Sequence, residues 1–396
     1  MLHDALRGVR VVDLSRILAG PWCTQNLADM GADVLKIEHP QRGDDTRGWG
    51  PPDLTSANGE ASMSAYFMAC NRGKQSVTLD FSTPQGAARI IELVKDADVF
   101  VENYKAGGLR KHGLDYDSLK AINPRMVYLS ITGFGQTGPM ADKPGYDYVF
   151  QGMGGLMSYT GQPDGMPGAG PLRTGVAVVD LMTGMYATSA VLAALRQRDR
   201  TGQGVHLDLC LLDVAVALNA NQGANYLVSG DAPQRSGNAH PNCAPYEVFA
   251  AQDGHLIVAI GNDAQFARFS SVVGQAAWAD DARFATNSAR LMNMATLRPA
   301  IADVLARKPR QHWTDAFDAN GVPWGPIHTL DEVFAHPQVQ HRELVQTVTH
   351  PVLGPMRLVR NPLVAGSPPD SMASAPPTLG QHDALHVKTT TTTTTP

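Results

Sequence analysis

The sequence predicts an α/β chain, with a mostly parallel sheet in its first half and a second, smaller α/β region after it. Three observations carry this expectation. Short β-branched apolar runs alternate with segments of helical period from Val9 onward. The first set, Val9 to Ile37, closes a strand–helix–strand unit of about thirty residues, a unit that is right-handed in nearly all proteins. The 38 glycines and 27 prolines are spread along the 396 residues, as many tight turns between short elements require.

Taken in order, Val9 to Leu14 is a buried-type strand ending at Ser15. Ala19 to Met30 places Trp22, Leu27 and Met30 at helical spacing and stops at Gly31, a common helix-ending residue. Val34 to Ile37 is the second strand and Ser76 to Phe81 the next. A helix follows from Pro84 to Lys95, with Thr83 as N-cap and proline at N1. Val99 to Glu102 and Met126 to Thr132 add two more strands. The turn after the first strand reads Ser15-Arg16-Ile17-Leu18-Ala19-Gly20-Pro21. It matches neither the GxGxxG of dinucleotide sites nor the GxxxxGK[ST] of the P-loop, which argues against NAD and ATP as cofactors.

Ala187 to Arg198 is strongly helical, with Val191, Leu192 and Leu195 at core spacing and Arg196 and Arg198 in the last turn. Thr201-Gly202-Gln203-Gly204 ends it, and Val205 to Leu211 reads as a strand. Tyr246 to Ala250 and Leu256 to Ile260 read as strands joined by the turn Gln252-Asp253-Gly254. Helical segments follow over Ala264 to Val273 and Thr296 to Arg307. Gly321-Val322-Pro323-Trp324-Gly325-Pro326 reads as a hinge back to the first region.

Composition narrows the setting. Lysine plus arginine total 32 against 37 aspartates and glutamates, a net charge of −5 with no basic stripe, so nucleic acid is not an expected partner. The cysteines Cys23, Cys70, Cys210 and Cys243 form no CxxC pair, so neither a metal knuckle nor a disulfide framework is expected and a reducing cytoplasm fits. The most hydrophobic stretch, Val176 to Leu195, is interrupted by Asp180, Thr183, Gly184 and Tyr186, and reads as a buried helix with its approach, with no membrane partner.

Asp180 is the residue with the most chemical potential. It stands where the apolar run Val176–Val179 meets the strongly helical segment. Two readings are open: a helix cap, or a functional carboxylate whose ionised form the helix dipole favours. Other isolated residues carry double readings too. Gly152-Met153-Gly154-Gly155 is a close backbone crossing or a source of backbone donors. His240 is a solvated loop histidine or a base, Trp49 a core residue or a pocket wall, and Lys105 and Lys111 are surface charges or ligand contacts.

Read together, the pieces resemble the class III CoA-transferase family, also called the CaiB/BaiF family and typified by formyl-CoA transferase. The matching stretches are Leu6-Arg7-Gly8-Val9-Arg10-Val11-Val12-Asp13-Leu14, Ala19-Gly20-Pro21, Gly31-Ala32-Asp33-Val34-Leu35-Lys36-Ile37-Glu38 and Gly43-Asp44-Asp45-Thr46-Arg47-Gly48-Trp49. Asn71-Arg72-Gly73-Lys74, Ala97 to Asn103, Asn123-Pro124-Arg125, the Asp180 block, Arg200 to Gly204 and Gly325-Pro326-Ile327 continue the series to about Val387.

The resemblance implies a Rossmann-like large domain, a smaller α/β domain and an interlocked homodimer. The expected division is a large domain over 1–225, a small domain over 226–330, a segment over 331–387 returning to the large domain, and a disordered Thr-rich tail over 388–396. It implies that Asp180 is the nucleophile, passing through a mixed anhydride and an aspartyl-CoA thioester. CoA or acyl-CoA is then the substrate, with no metal. Leu18, Ala19 and His39 would line the CoA site, His39 standing where formyl-CoA transferase has an arginine. Leu79, Asp80, Phe81, Ser82, Asn103, Tyr104, Lys105, Lys111, Lys143 and Tyr146 complete that expected set. Trp49 would shape the acyl pocket. Gly154, Gly155, Gly237, Asn238 and His240 are loop candidates near the acyl group, although the 236–242 loop carries a single glycine where some members have several.

Two other functions share the fold. An α-methylacyl-CoA racemase needs an acid and a base on opposite faces of the α-carbon, and the resembling enzymes carry histidine where this chain has Tyr146 in Gly145-Tyr146-Asp147. A tyrosine of pKa near ~10 is a poor base at neutral pH, which favours transfer. A non-catalytic CoA-binding protein is the third reading. The second-half motifs around Gly237, Ala244-Pro245-Tyr246 and Gly325 look most similar to members that move CoA from succinyl-CoA to other dicarboxylates. Arg47, Arg72 or Arg173 would then hold the second carboxylate.

Overall fold

The computed structural model describes residues 2–364, 366–367 and 374–386; the Thr-rich tail expected over 388–396 lies outside the described residues. The chain forms two compact units. The first comprises the chain up to Gly155, Thr174–Asn219 and the described chain from Phe334 onward; the second comprises Leu156–Arg173 and Ala220–Val333. The division expected at 225 falls inside the helix Ala220–Ser229, and the 156–173 excursion has no counterpart in the expected scheme.

The first unit is built on six strands: β1 (Arg10–Asp13), β2 (Asp33–Glu38), β3 (Lys74–Thr78), β4 (Val99–Glu102), β5 (Val127–Thr132) and β6 (His206–Cys210). All are parallel, in the order 3-2-1-4-5-6. That order is the Rossmann-like one, and it reverses between β1 and β4. Alternate residues on each strand serve opposite faces. Val11, Val34, Val99, Val101 and Leu129 pack against the helices α1 (Ala19–Asp29) and, further along the chain, Val178–Thr201. Val12, Leu35, Val77, Phe100 and Tyr128 pack beneath the helix Pro84–Val94 on the other face. Both faces are covered, which is why these strands read as near-continuous apolar runs.

Three expectations need correction. The strand expected over Ser76–Phe81 ends at Thr78, because the Asp80 side chain folds the next residues into a turn, accepting from Ser82 N–H at 2.9 Å. The helix expected from Ala187 starts about two and a half turns earlier, at Val178. The 321–326 stretch is not a bare hinge. Its Trp324–Pro326 segment is a strand.

That strand completes the second unit's sheet, in which β7 (Tyr246–Ala251) and β8 (Gly254–Ala259) pair antiparallel and β9 (Trp324–Pro326) adds to β8. Phe249, Leu256 and Val258 of this sheet face Phe269, Leu297 and Phe317 of the neighbouring helices in its core. In the first unit, the C-terminal chain lines the edge strand β3: Ser76 N–H donates to His382 Nδ1 at 3.1 Å and Thr78 N–H to Asp383 at 2.7 Å.

Candidate active site

The long helix α3 (Val178–Thr201) follows α2 (Asp147–Met153) and carries Asp180 as its third residue. A single glycine brings it close to α1. A Cβ at Gly184 would lie 2.8 Å from the Ala19 carbonyl oxygen and 2.9 Å from Trp22 Cβ, so only glycine lets the two backbones approach this closely. The head of α3 is thereby placed beside the turn after β1.

Asp180 is not the cap of its helix. The cap comes from Asp147, whose Oδ1 accepts the N–H of Val179 at 2.7 Å and of Asp180 at 3.1 Å. Gln151 Nε2 donates to the other Asp147 oxygen at 2.6 Å, and Gln151 Oε1 accepts Thr174 N–H at 2.9 Å. This chain of bonds ties α2 to the approach to α3. The Asp180 side chain is 9% exposed and makes no hydrogen bond among the described residues. Burial, and then the Asp147 charge, push its carboxyl up to about 7.

The cleft that Asp180 lines is about 310 Å³ and lies at the carboxyl ends of β1, β4 and β5, where open α/β sheets bind ligands. Leu18, Ala19, Asn103, Tyr104, Lys105, Lys143 and Tyr146 all line it, together with Arg16, Ile17 and Thr132. Ile17 sits at φ +72°, a left-handed conformation costly for a β-branched residue, and its N–H donates to both oxygens of Asp44 at 3.2 Å. That kink leaves the N–H groups of Leu18 and Ala19 at the uncapped start of α1 without acceptors among the described residues. Asn103 braces the two loops across the point where the sheet order reverses. Its Oδ1 accepts Arg16 N–H at 2.9 Å and its Nδ2 donates to Arg16 O at 2.7 Å.

A neighbouring cleft of about 230 Å³ shares Arg16 and Tyr104 with the first, and His39, Leu79, Asp80, Phe81 and Ser82 line it. Each cleft is at or below the low end of the range for ligand sites, ~300–1,000 Å³, so a ligand of nucleotide size needs both. Phe81 meets Tyr104 edge-on at 5.1 Å, forming an aromatic wall between them.

Other expected residues stand apart. Lys111 is exposed on the turn Arg110–His112 and lines neither cleft. Gly154 N–H bonds Phe150 O and Gly155 N–H bonds Gly152 O, so neither is an oxyanion donor; a Cβ at Gly154 would strike Ala215, making this a close backbone crossing. Gly237, Asn238 and His240 belong to the second unit and are not among the cleft-lining residues. There Gly237 N–H donates to Gly161 O at 3.0 Å, and His240 Nδ1 accepts Asn242 N–H at 3.0 Å. Two expected carboxylate-binding arginines are consumed in ion pairs. Arg47 grips Glu38 with two bonds of 2.6 and 2.7 Å, and Arg72 grips Asp29 in the same bidentate way.

Trp49 is 43% exposed and packs edge-on against Tyr66 with ring centroids 5.0 Å apart. Tyr66 is a residue that sequence reasoning misses. Burial first, with the nearby carboxylates of Asp180 and Asp147 adding to it, pushes its phenol up to about 12, so it keeps its proton throughout the physiological range. The sequence presents Asp147 only as a neighbour of Tyr146; no local signal reveals a cap supplied from 33 residues away. Among the described residues, no group of three or more His, Cys, Asp or Glu side chains is placed to hold a metal ion.

A family model described as CoA-transferase family III matches residues 6–383. A succinate–glutarate CoA-transferase of Agrobacterium fabrum is 50% identical over 96% of this chain and 94% of its own. A succinyl-CoA:glutarate CoA-transferase of Mus musculus is 42% identical over 95% of this chain and 84% of its own. Among solved structures, a CaiB/BaiF family protein from Brucella suis is 46% identical and superposes with a TM-score of 0.82, covering 96% of this chain and 97% of that one. With a family match over nearly the whole chain and an ionisable, unpaired aspartate opening on the ligand cleft, the protein belongs to CoA-transferase family III.

Proposed function

We propose that this CoA-transferase moves CoA from succinyl-CoA to a dicarboxylic acid, glutarate first among the candidates, by covalent catalysis on Asp180. The observation that carries the mechanism is Asp180 itself: a buried carboxyl without a hydrogen-bond partner among the described residues, in a cleft also lined by Lys105 and Lys143. An aspartate nucleophile needs no partner base once ionised. The names of the similar transferases support the donor and the acceptor class.

An Asp180 carboxylate oxygen attacks the thioester carbonyl carbon, and the carbonyl electrons move to oxygen. Leu18 and Ala19 line the same cleft as Asp180 and their N–H groups have no acceptor among the described residues, which makes them candidate oxyanion donors; one well-placed donor is worth ~3–4 kcal/mol to such an oxyanion. Collapse breaks the C–S bond, giving CoA thiolate and a succinyl–aspartyl anhydride. The thiolate attacks the Asp180 carbonyl, expelling succinate and leaving an aspartyl-CoA thioester. The acceptor carboxylate repeats both steps in reverse sense: it displaces the thiolate to form a new anhydride, then the thiolate takes the acceptor acyl group and Asp180 leaves as carboxylate. No net proton is consumed. An interlocked homodimer belongs to the same reading, supported by the exposed apolar side chains Tyr148, Val149, Val176 and Tyr186 around the heads of α2 and α3.

The test is glutaryl-CoA formation from succinyl-CoA and glutarate, followed by mass spectrometry, with hydroxylamine trapping of the thioester on Asp180. Asp180→Ala is expected to abolish transfer and trapping together. Transfer that survives this substitution sinks the mechanism, and absence of transfer to any dicarboxylate sinks the acceptor class. Deuterium uptake at the α-carbon of a 2-methylacyl-CoA without acceptor would point to the racemase instead.

A further inference from the structure

In a sheet of order 3-2-1-4-5-6, a nucleotide's ribose lies near the end of β2. An acidic residue there reads ribose hydroxyls, or a nearby arginine accepts a ribose phosphate. In this chain β2 ends at Glu38, whose carboxylate is spent. It binds Arg47 twice, accepts Ser76 Oγ at 2.6 Å and Asp44 N–H at 2.9 Å, and is 3% exposed. No acid at this position is left for ribose hydroxyls.

Four residues further on, Arg42 is exposed and lines the cleft of His39, Asp80, Phe81 and Ser82. The other full cations of that cleft have carboxylate partners: Lys36 with Asp44 and Arg16 with Asp45, both at 2.8 Å. Arg42 has no ion pair or hydrogen bond among the described residues. The carboxylate whose charge it feels, Asp80, spends Oδ1 on the N–H and hydroxyl of Ser82. His39 accepts Gln41 N–H on Nδ1 at 3.2 Å, which assigns the ring proton of the neutral form to Nε2 and makes that nitrogen a donor. That tautomer gives the histidine a ring N–H to offer in the cleft it lines.

We infer that Arg42, with the Nε2–H of His39 in the same cleft, reads the ribose phosphate of CoA and makes this chain discriminate CoA from dephospho-CoA. The acyl end lies in the other cleft with Asp180, and the two join at Arg16 and Tyr104, so the contact is remote from the reacting carbonyl. The inference rests on the CoA-transfer reading and adds the residue that recognises the nucleotide end. A guanidinium suits a phosphate because its planar fork of donors matches two oxygens at once.

The experiment compares succinyl-CoA with succinyl-dephospho-CoA as donors, and CoA with dephospho-CoA as ligands in calorimetry without acceptor, for the wild type and Arg42→Ala. The wild type is expected to bind CoA about tenfold or more tighter than dephospho-CoA, a factor typical of one charge-assisted contact. Arg42→Ala should raise KM for succinyl-CoA about tenfold, leave kcat within about twofold, and leave the dephospho donor unchanged. Equal weakening of both ligands, weakening of neither, or a wild type indifferent to the phosphate overturns the inference. Arg42-dependent discrimination in binding without any acyl transfer supports it while sinking the transferase reading. Absence of binding to either ligand sinks both.

Discussion

The N–H of Asp180 donates to Asp147 Oδ1 at 3.1 Å, in a bond that runs between two carboxylate-bearing residues. Asp147 therefore does two opposing things. It fixes the first turn of α3 as a cap, and its charge makes Asp180 harder to ionise. With the carboxyl at about 7 in the free enzyme, the fraction of nucleophilic carboxylate rises with pH across neutrality. The acid limb of kcat/KM should accordingly bend near pH 7. Asp147→Asn keeps an oxygen for both N–H groups and removes the charge, at the cost of setting its amide NH2 against Gln151 Nε2, so the limb should move to lower pH with some loss of kcat and stability. Asp147→Ala also loses the cap, at ~1 kcal/mol of stability. A pH–rate profile unmoved by Asp147→Asn would show that Asp147 does not set the ionisation of Asp180.

The same carboxyl makes the free enzyme less stable than it could be. Its pKa is raised from 3.8 in the unfolded chain to about 7 in the folded one, so between those values the folded chain holds more protons. Stability therefore falls as pH rises across that window and stays low above it. Asp180→Asn should be more stable than the wild type at pH 8 by about 2–4 kcal/mol, since each tenfold change in proton affinity is worth ~1.4 kcal/mol, and nearly equal to it below pH 4. Urea unfolding at the two pH values checks this. Equal stabilisation at both would point to packing as the cause.

The elements legible in the sequence are those whose signal is local. Val9 to Leu14 and Val99 to Glu102 belong to strands covered on both faces, and their apolar runs report it directly. The start of α3 escapes detection because Val176 to Val179 are mostly β-branched and have no cap of their own. The bond that caps the helix at Val178 comes from Asp147, distant in sequence. The site divides the same way. Residues on the turns after β1 and β4 are reached through the family resemblance, whose motifs run on from those two strands. Tyr66, on the short helix Ala65–Cys70, has no pattern of its own and acquires meaning only through its neighbourhood with Asp180. Arg47 and Arg72 mislead because a sequence shows a guanidinium without showing the carboxylate it is spent on.

The brace at Asn103 gives a prediction about ligand affinity. Its amide matches the Arg16 peptide, donor to acceptor and acceptor to donor, across the switch point of the sheet. Asn103→Asp keeps the bond from Arg16 N–H and sets a second carboxylate oxygen against Arg16 O, where a donor stood. Two acceptors facing each other cost about 1–3 kcal/mol. The loops that share the cleft with Asp180 should loosen, raising KM for the CoA donor about tenfold with a smaller effect on kcat. Steady-state kinetics with the donor varied checks it; a change confined to kcat would place Asn103 in the chemistry rather than in the brace.

The last prediction separates an arginine that holds the fold from one that holds substrate. Arg72 is 5% exposed, forms its bidentate pair with Asp29, and donates through Nη1 to Val359 O at 3.0 Å. Asn361 Nδ2 donates to Asp29 as well, at 2.8 Å, so this cluster fastens the C-terminal chain to α1. Removing one partner of a buried pair strands the other charge, at ~3–5 kcal/mol. Arg72→Ala should lower the urea midpoint by that equivalent, while the enzyme that remains folded keeps its KM for the acceptor acid. A raised acceptor KM with unchanged stability would instead return Arg72 to the substrate site, contrary to its bonds with Asp29.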